Sequence, residues 1–147
     1  MATVGSTIPA LKAALVERLA LALPGVQVSY GIPAGEMEPD LVVVGEAIDE
    51  SQEDAAYGQY RREETYGLRV IVSVVRDKLE DQQVVTERAF EIAREIETSL
   101  RDWGRVGNPF DGIVRTALVT GTDLEEPVSA SEREGRVTLT VSCSERI

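Results

Sequence analysis

Histidine is absent from this 147-residue chain, and Cys143 is its only cysteine. Without imidazole, the Ser-His-Asp and Cys-His nucleophile systems and the common zinc sites are excluded. A single thiol also excludes an intrachain disulfide and a cysteine-based metal cluster. An enzyme with this sequence would have to work with carboxylates, lysine, tyrosine or serine. We expect neither catalysis nor a cofactor.

Lysine is scarce, and the charge is strongly one-sided. Only Lys12 and Lys78 are lysines, and 15 basic against 26 acidic residues give a net charge of −11. An acidic surface repels nucleic-acid phosphate at long range, so a sequence-reading DNA-binding protein is not expected. No apolar run approaches the roughly 20 residues of a membrane span. Lys12, Glu17 and Arg18 also interrupt what would be the apolar region of a signal peptide. A cytoplasmic protein without membrane contact is therefore expected.

Motifs that carry chemistry are missing as well. The sequence contains no P-loop, no G-x-G-x-x-G, no G-x-S-x-G and no H-E-x-x-H. Three acidic clusters lie in segments predicted as loops, where acids are usually solvated, although oxygen ligands of this kind can hold a hard cation. We predict no metal site from them. The clusters are Glu36, Glu38 and Asp40; Asp49, Glu50, Glu53 and Asp54; and Asp123, Glu125 and Glu126.

What the chain does have is a long amphipathic segment from Asp81 to Trp103. At about 100° per residue its apolar side chains fall within one narrow arc, which predicts a helix that covers an apolar surface. Asp81 can cap the first turn, and Gly104 follows the predicted end. Glu97 and Arg101 are spaced as a solvent-side ion pair. The arc consists of Val85, Ala89, Ile92, Ile96, Leu100 and Trp103.

The remaining pattern predicts a second helix and several strands. Pro9 to Leu23 is amphipathic, with Thr7 as its N-cap and Pro24-Gly25 as its stop. Alternating side chains predict strands elsewhere, and in the last of these Cys143 is predicted to be a small core residue. The strands are Val26–Tyr30, Leu41–Ile48, Thr65–Arg76, Ile113–Thr120 and Arg136–Ser144, with connections at Asp49–Glu64, Gly104–Gly112 and Gly121–Gly135.

These elements predict an α+β fold, with two amphipathic helices packed on one face of a mostly antiparallel sheet of four to five strands. Some large side chains lie outside the predicted core. Phe90 lies about 140° around its helix from Val85, where it either broadens the core contact or meets a partner. Asp49–Glu64 is either a solvated connection or a loop that becomes ordered against another subunit. We predict a subunit or tube interface from Leu21, Tyr57, Tyr60, Arg61, Arg62, Phe90 and Phe110.

The element order runs from a helix closed by Leu23-Pro24-Gly25, through two strands and an acidic-aromatic loop, to the strand GLRVIVSVV. The helix AFEIAREIETSL and a terminal hairpin ending VTLTVS complete it. This order resembles the tail-terminator and tail-completion proteins of long-tailed bacteriophages. The resemblance covers nearly the whole chain and implies one domain over residues 1–147. It implies a ring, commonly a hexamer, that caps the tail tube at the head-proximal end of the virion tail.

Such a ring stops polymerisation of the tube protein and offers a surface to the head-tail connector. The acidity fits a bore that lets DNA pass without binding it, since six copies would carry six times −11, or −66. A bore lined by Arg61, Arg62 and Arg69 would contradict this. The alternatives are a head-tail connector or minor tail protein and, from a different class, a small carboxylate-dependent enzyme or a ligand-binding domain. An enzyme should show a concave pocket with convergent buried acids.

Overall fold

The computed structural model describes residues 5–54, 62–105, 113, 114 and 116–146 of the protein, and two helices and five strands lie within these ranges. The helices are α1 (Ile8–Ala22) and α2 (Gln82–Arg105). The strands are β1 (Gln27–Tyr30), β2 (Asp40–Asp54), β3 (Arg62–Asp77), β4 (Thr116–Glu125) and β5 (Glu132–Arg146).

The five strands form one sheet in the order β1-β2-β3-β5-β4. Only the short β1 runs parallel to its neighbour β2, and the other three pairs are antiparallel. This arrangement confirms the predicted α+β class and the mostly antiparallel sheet. It also places β1 and β4 at the two edges and β3 at the centre, between β2 and β5.

The core lies between the two helices and one face of the sheet. Residues in register across the strands, such as Val42, Val72 and Val137, are fully buried. Each side chain of this size contributes about 1.5–3 kcal/mol when it is removed from water. The predicted core positions of β3 and β5 are confirmed, including Cys143, and so are most of those on the helices, while Ile8, Ala22 and Trp103 are partly buried. The helical core residues are Leu11, Leu15 and Leu19 of α1 and Val85, Ala89, Ile92, Ile96 and Leu100 of α2.

Helix α2 begins as its sequence predicts. The Gln83 backbone N–H donates to Asp81 Oδ1 at 2.9 Å, so Asp81 caps the first turn. The predicted pair between Arg101 and Glu97 is present at 2.9 Å. The predicted helix end is wrong, because α2 continues through Gly104 to Arg105.

Two long segments predicted as loops turn out to be mostly strand. β2 continues to Asp54 and β3 starts at Arg62, because residues 51–54 pair with residues 62–65. The pairing of β2 with β3 shifts in register after Val44 and again after Ile48, as in a β-bulge. Asp49, within the second shift, has a positive φ of 53°. Cross-strand hydrogen bonding therefore overrides the polar composition that favoured a loop over Asp49–Glu64.

The boundaries of the last hairpin also differ from prediction. β4 begins at Thr116 instead of Ile113 and ends at Glu125, and β5 begins at Glu132. The connection predicted over Gly121–Gly135 therefore shrinks to residues 126–131. The connection is shorter because acidic residues predicted to lie in it belong to strands. Glu125, for example, is the last residue of β4 and pairs with Arg136 of β5. Most of the predicted connection Gly104–Gly112 lies outside the described residues.

Candidate assembly surface

Two of the predicted interface residues are described with their side chains, and both reach the surface. Leu21, on the last turn of α1, is 82% exposed, so it makes little contact within its own chain. Phe90, on α2, is 37% exposed. Arg62 is the first residue of β3, and the structure describes only its backbone. Tyr57, Tyr60, Arg61 and Phe110 lie outside the described residues.

Phe90 lies on one side of α2, and the end of α1, which carries Leu21, lies on the other. Phe90 lines a groove of about 250 Å³ with Thr122 of β4 and Leu139 of β5. The other side of α2 faces the end of α1, where Arg88 and Glu91 line a cleft with residues 22–24 and 26. The two predicted residues therefore do not form one patch.

One end of the sheet carries most of the exposed apolar side chains. At this end the last turn of α1, the second half of the β1–β2 loop, the β3–α2 turn and the β4–β5 hairpin come together. We call it the cleft end and define it as residues 21–26, 36–40, 75–84 and 124–132. Six of the ten large apolar side chains exposed in the described residues lie here: Leu21, Met37, Leu79, Val84, Leu124 and Val128.

An open cleft of about 880 Å³ occupies the centre of this end. Its walls include Gly25, Met37, Asp77 and Ser131, so they come from all four segments. Gly25 has φ of +81° at the turn that stops α1, a conformation suited to glycine. Backbone hydrogen bonds from Val75 N–H to the Pro39 carbonyl (2.9 Å) and from Lys78 N–H to the Ser131 carbonyl (3.1 Å) tie the segments together. The cleft is therefore built into the fold.

Charges in the cleft are only partly balanced. Asp40 lies between two arginines, with its Oδ1 2.8 Å from Arg76 Nη1 and its Oδ2 accepting a hydrogen bond from Arg88 Nε at 3.0 Å. The Arg76 contact is not aligned for a hydrogen bond, so Oδ1 has no donor among the described residues. Glu38 and Glu132 also line the cleft, and no described basic side chain forms an ion pair with either. A net negative cleft results.

At the opposite end of the sheet lies a buried carboxylate that the sequence analysis missed. Glu64 of β3 is 3% exposed and accepts hydrogen bonds from Ser6 Oγ (2.6 Å), Thr7 N–H (2.8 Å), Thr7 Oγ1 (2.7 Å) and Gln52 Nε2 (3.3 Å). Thr7 is the N-cap residue of α1, as predicted, but its side chain makes no capping hydrogen bond to the helix. Instead, the carboxylate of Glu64 binds the start of the helix.

Burial alone would raise the pKa of Glu64, but its hydrogen bonds from Ser6, Thr7 and Gln52 outweigh burial and lower the pKa below its ordinary value. The neighbouring Tyr66 hydroxyl lies 2.9 Å from Thr7 Oγ1, and burial raises its pKa. An ionised carboxylate with four donors is suited to holding a helix, not to exchanging protons with a substrate. Its signal in the sequence is the alternation of β3, which places Glu64 on the face of Tyr66 and Leu68.

Cys143 offers no reactive thiol in the folded protein. Its side chain is 3% exposed, and burial raises its pKa to about 12. Among the residues that the structure describes, no three acidic or cysteine side chains are grouped to hold a metal ion. Neither described helix is long and apolar enough to cross a membrane.

Comparison with known proteins adds one finding about the fold. No family profile and no curated protein matches this sequence. The fold matches a chain in the virion of a native gene transfer agent (GTA) particle. The two chains superpose with a TM-score of 0.65 over 96% of this chain and 98% of that one, at 17% sequence identity. At this identity the likeness establishes a shared fold over almost the whole length of both chains.

Proposed function

We propose that this protein is a structural subunit of a phage-type virion. The observation that carries the proposal is the shared fold with a GTA virion chain, which extends over nearly all of both chains. Two features of the residues agree with it. The chain has no histidine, its one thiol is buried, and the one buried carboxylate among the described residues holds the start of α1.

Within the virion, we propose that the protein forms a ring that caps the tail tube, as the resemblance to tail terminators implies. A ring needs a heterologous contact, in which one patch docks on a different patch of the neighbouring copy. The groove that contains Phe90 and the cleft between α2 and the end of α1 lie on two sides of α2, so the chain has two different surfaces for such a contact. Six copies are the expected number, and the head-tail connector is the expected partner on the far side.

The acidic charge supports a bore through which DNA passes. A ring of six copies would carry −66, which repels phosphate. Arg69, one of the three arginines that would contradict this bore, forms an ion pair of 3.1 Å with Glu46. Its charge is therefore compensated within its own chain.

Imaging with tail tubes tests the proposal. The tube protein from the same genome is assembled with and without this protein, and the tubes are examined by negative stain. We expect shorter tubes with added density at one end, and a solution mass in multiples of the 16.0 kDa subunit by light scattering. Tubes of unchanged length and bare ends would contradict the terminator role. Binding only to isolated connector rings would favour the connector or minor tail alternative, and turnover of a small molecule would favour an enzyme.

A further inference from the structure

The exposed apolar side chains are concentrated at the cleft end, and we propose that this end docks on the terminal ring of the tail tube. The proposal rests on the proposed function and adds which surface makes the contact and what the partner must offer. Six of ten exposed large apolar side chains in the described residues lie at this end. Such a concentration is typical of a protein interaction site.

Leu79 is the most exposed of these side chains, at 92%, and the turn that carries it is firmly held. Its own N–H donates to Asp77 Oδ1 at 2.8 Å, and the N–H of Glu80 donates to the Asp77 carbonyl at 2.9 Å. The carbonyl of Lys78 accepts from Arg133 Nε at 3.0 Å. A leucine displayed on an ordered turn loses little backbone entropy on binding, so most of its burial contributes to affinity.

The acidic residues of the cleft end define the partner's chemistry. Glu38, Asp77 and Glu132 line the cleft, and no described basic side chain forms an ion pair with them. They surround apolar wall residues that include Met37, Pro39 and Val75. The complementary surface therefore carries apolar side chains together with lysine or arginine. Phosphate-rich nucleic acid and anionic lipid are repelled by the same charges.

Repetition in a ring makes the terminal ring of the tube the fitting partner. We place the cleft end of each copy on the axial face of the proposed ring, where the apolar side chains of identical copies form a circular belt. Another ring can cover such a belt completely, because it offers an equivalent contact to every copy. Because each copy contributes the same contact, even modest affinity per copy becomes strong attachment of the whole ring.

The test compares two substitutions that add the same charge to exposed apolar sites. Leu79→Asp changes the cleft end. Ile32→Asp is the matched control, because Ile32 is 71% exposed in the loop just after β1 and lies outside the cleft end. Both variants and the unchanged protein are sedimented with preformed tail tubes at low and high salt, while light scattering reports their own mass.

We expect Leu79→Asp to weaken attachment to tubes about tenfold or more per copy without changing its mass in solution. Ile32→Asp should attach like the unchanged protein, and salt should weaken both because cationic partner groups contribute. Equal attachment of Leu79→Asp would overturn this docking surface while leaving the terminator role intact. Loss of binding to connector rings, with tube binding unchanged, would also overturn it. Failure of the unchanged protein to bind tubes would overturn the proposed function itself.

Discussion

The carboxylate of Glu64 on β3 accepts a 2.8 Å hydrogen bond from the backbone N–H of Thr7, the residue that precedes α1. The two residues are 57 positions apart in the sequence. Because the carboxylate also accepts from both neighbouring hydroxyls, it joins the N-terminal helix to the centre of the sheet.

Replacing this carboxylate should destabilise the protein. Glu64→Gln keeps the shape but points an amide N–H₂ at groups that are themselves donors, such as Ser6 Oγ. We expect the free energy of unfolding to fall by about 1–3 kcal/mol in urea titrations. Glu50→Gln is the control, because Glu50 lies in the same small cleft but is exposed, so it should change stability by less than about 0.5 kcal/mol. Equal effects of both variants would show that Glu64 does not hold the helix.

The contribution of Glu64 should depend on pH in a defined direction. Its pKa is lowered in the folded state, so the stabilisation is complete above the unfolded value of 4.5. It is then lost as the pH falls through the lower folded value. The difference in unfolding free energy between the unchanged protein and Glu64→Gln should thus be constant near neutrality and shrink as the pH falls below 4.5. A difference that grows on acidification would contradict the lowered pKa.

Gly135 of β5 should not tolerate a side chain. An added Cβ would lie 3.0 Å from the carbonyl oxygen of Val85 and 3.2 Å from Thr86 Cα, where α2 packs directly on the strand. Since backbone atoms cannot yield as a flexible side chain can, we expect Gly135→Ala to cost about 1–3 kcal/mol in the free energy of unfolding. Gly121→Ala, whose nearest contact would be 3.6 Å from Thr140, should be close to neutral. Thermal unfolding of both variants tests this.

The thiol of Cys143 should be unreactive in the folded protein. With its pKa raised to about 12 and its side chain buried, it should react with a thiol reagent at mildly alkaline pH only as fast as the protein opens. A cysteine placed at the exposed Leu118 of β4 should react at once and serves as the reference. Similar rates for the two thiols would mean that the core at β5 is open to solvent.

Local patterns predicted the parts of this fold that bury one continuous face. The arc of α2 and the alternation of β3 and β5 identify the core because burial repeats with the period of each element. Strand ends were predicted poorly, since Ser51 to Asp54 and Thr122 to Glu125 are polar segments whose strand structure depends on pairing with a distant partner. The local sequence pattern does not indicate which distant strand will pair with these residues.

The candidate surface was harder to predict for the same reason. Leu21 lies off the apolar stripe of its own helix, which predicts its exposure, and it is 82% exposed. Leu79, in contrast, lies in a short turn without a period, so nothing local marks it as exposed. The cleft end is created by four segments that meet only in the folded chain. Neither the cleft nor the grouping of exposed apolar side chains can therefore be predicted from any one segment.

Both ends of the described chain leave the domain on the same side. Arg146 pairs with Glu63 on β3, and Ser6 donates to Glu64, the next residue along that strand. A short peptide linker between the two ends should therefore allow a circular permutant that keeps every strand pair, with new ends opened in the 126–131 hairpin. Affinity tags fused at either end would likewise leave the cleft at the opposite end of the sheet unobstructed, so tagged protein can be used to test the proposed contact with tubes.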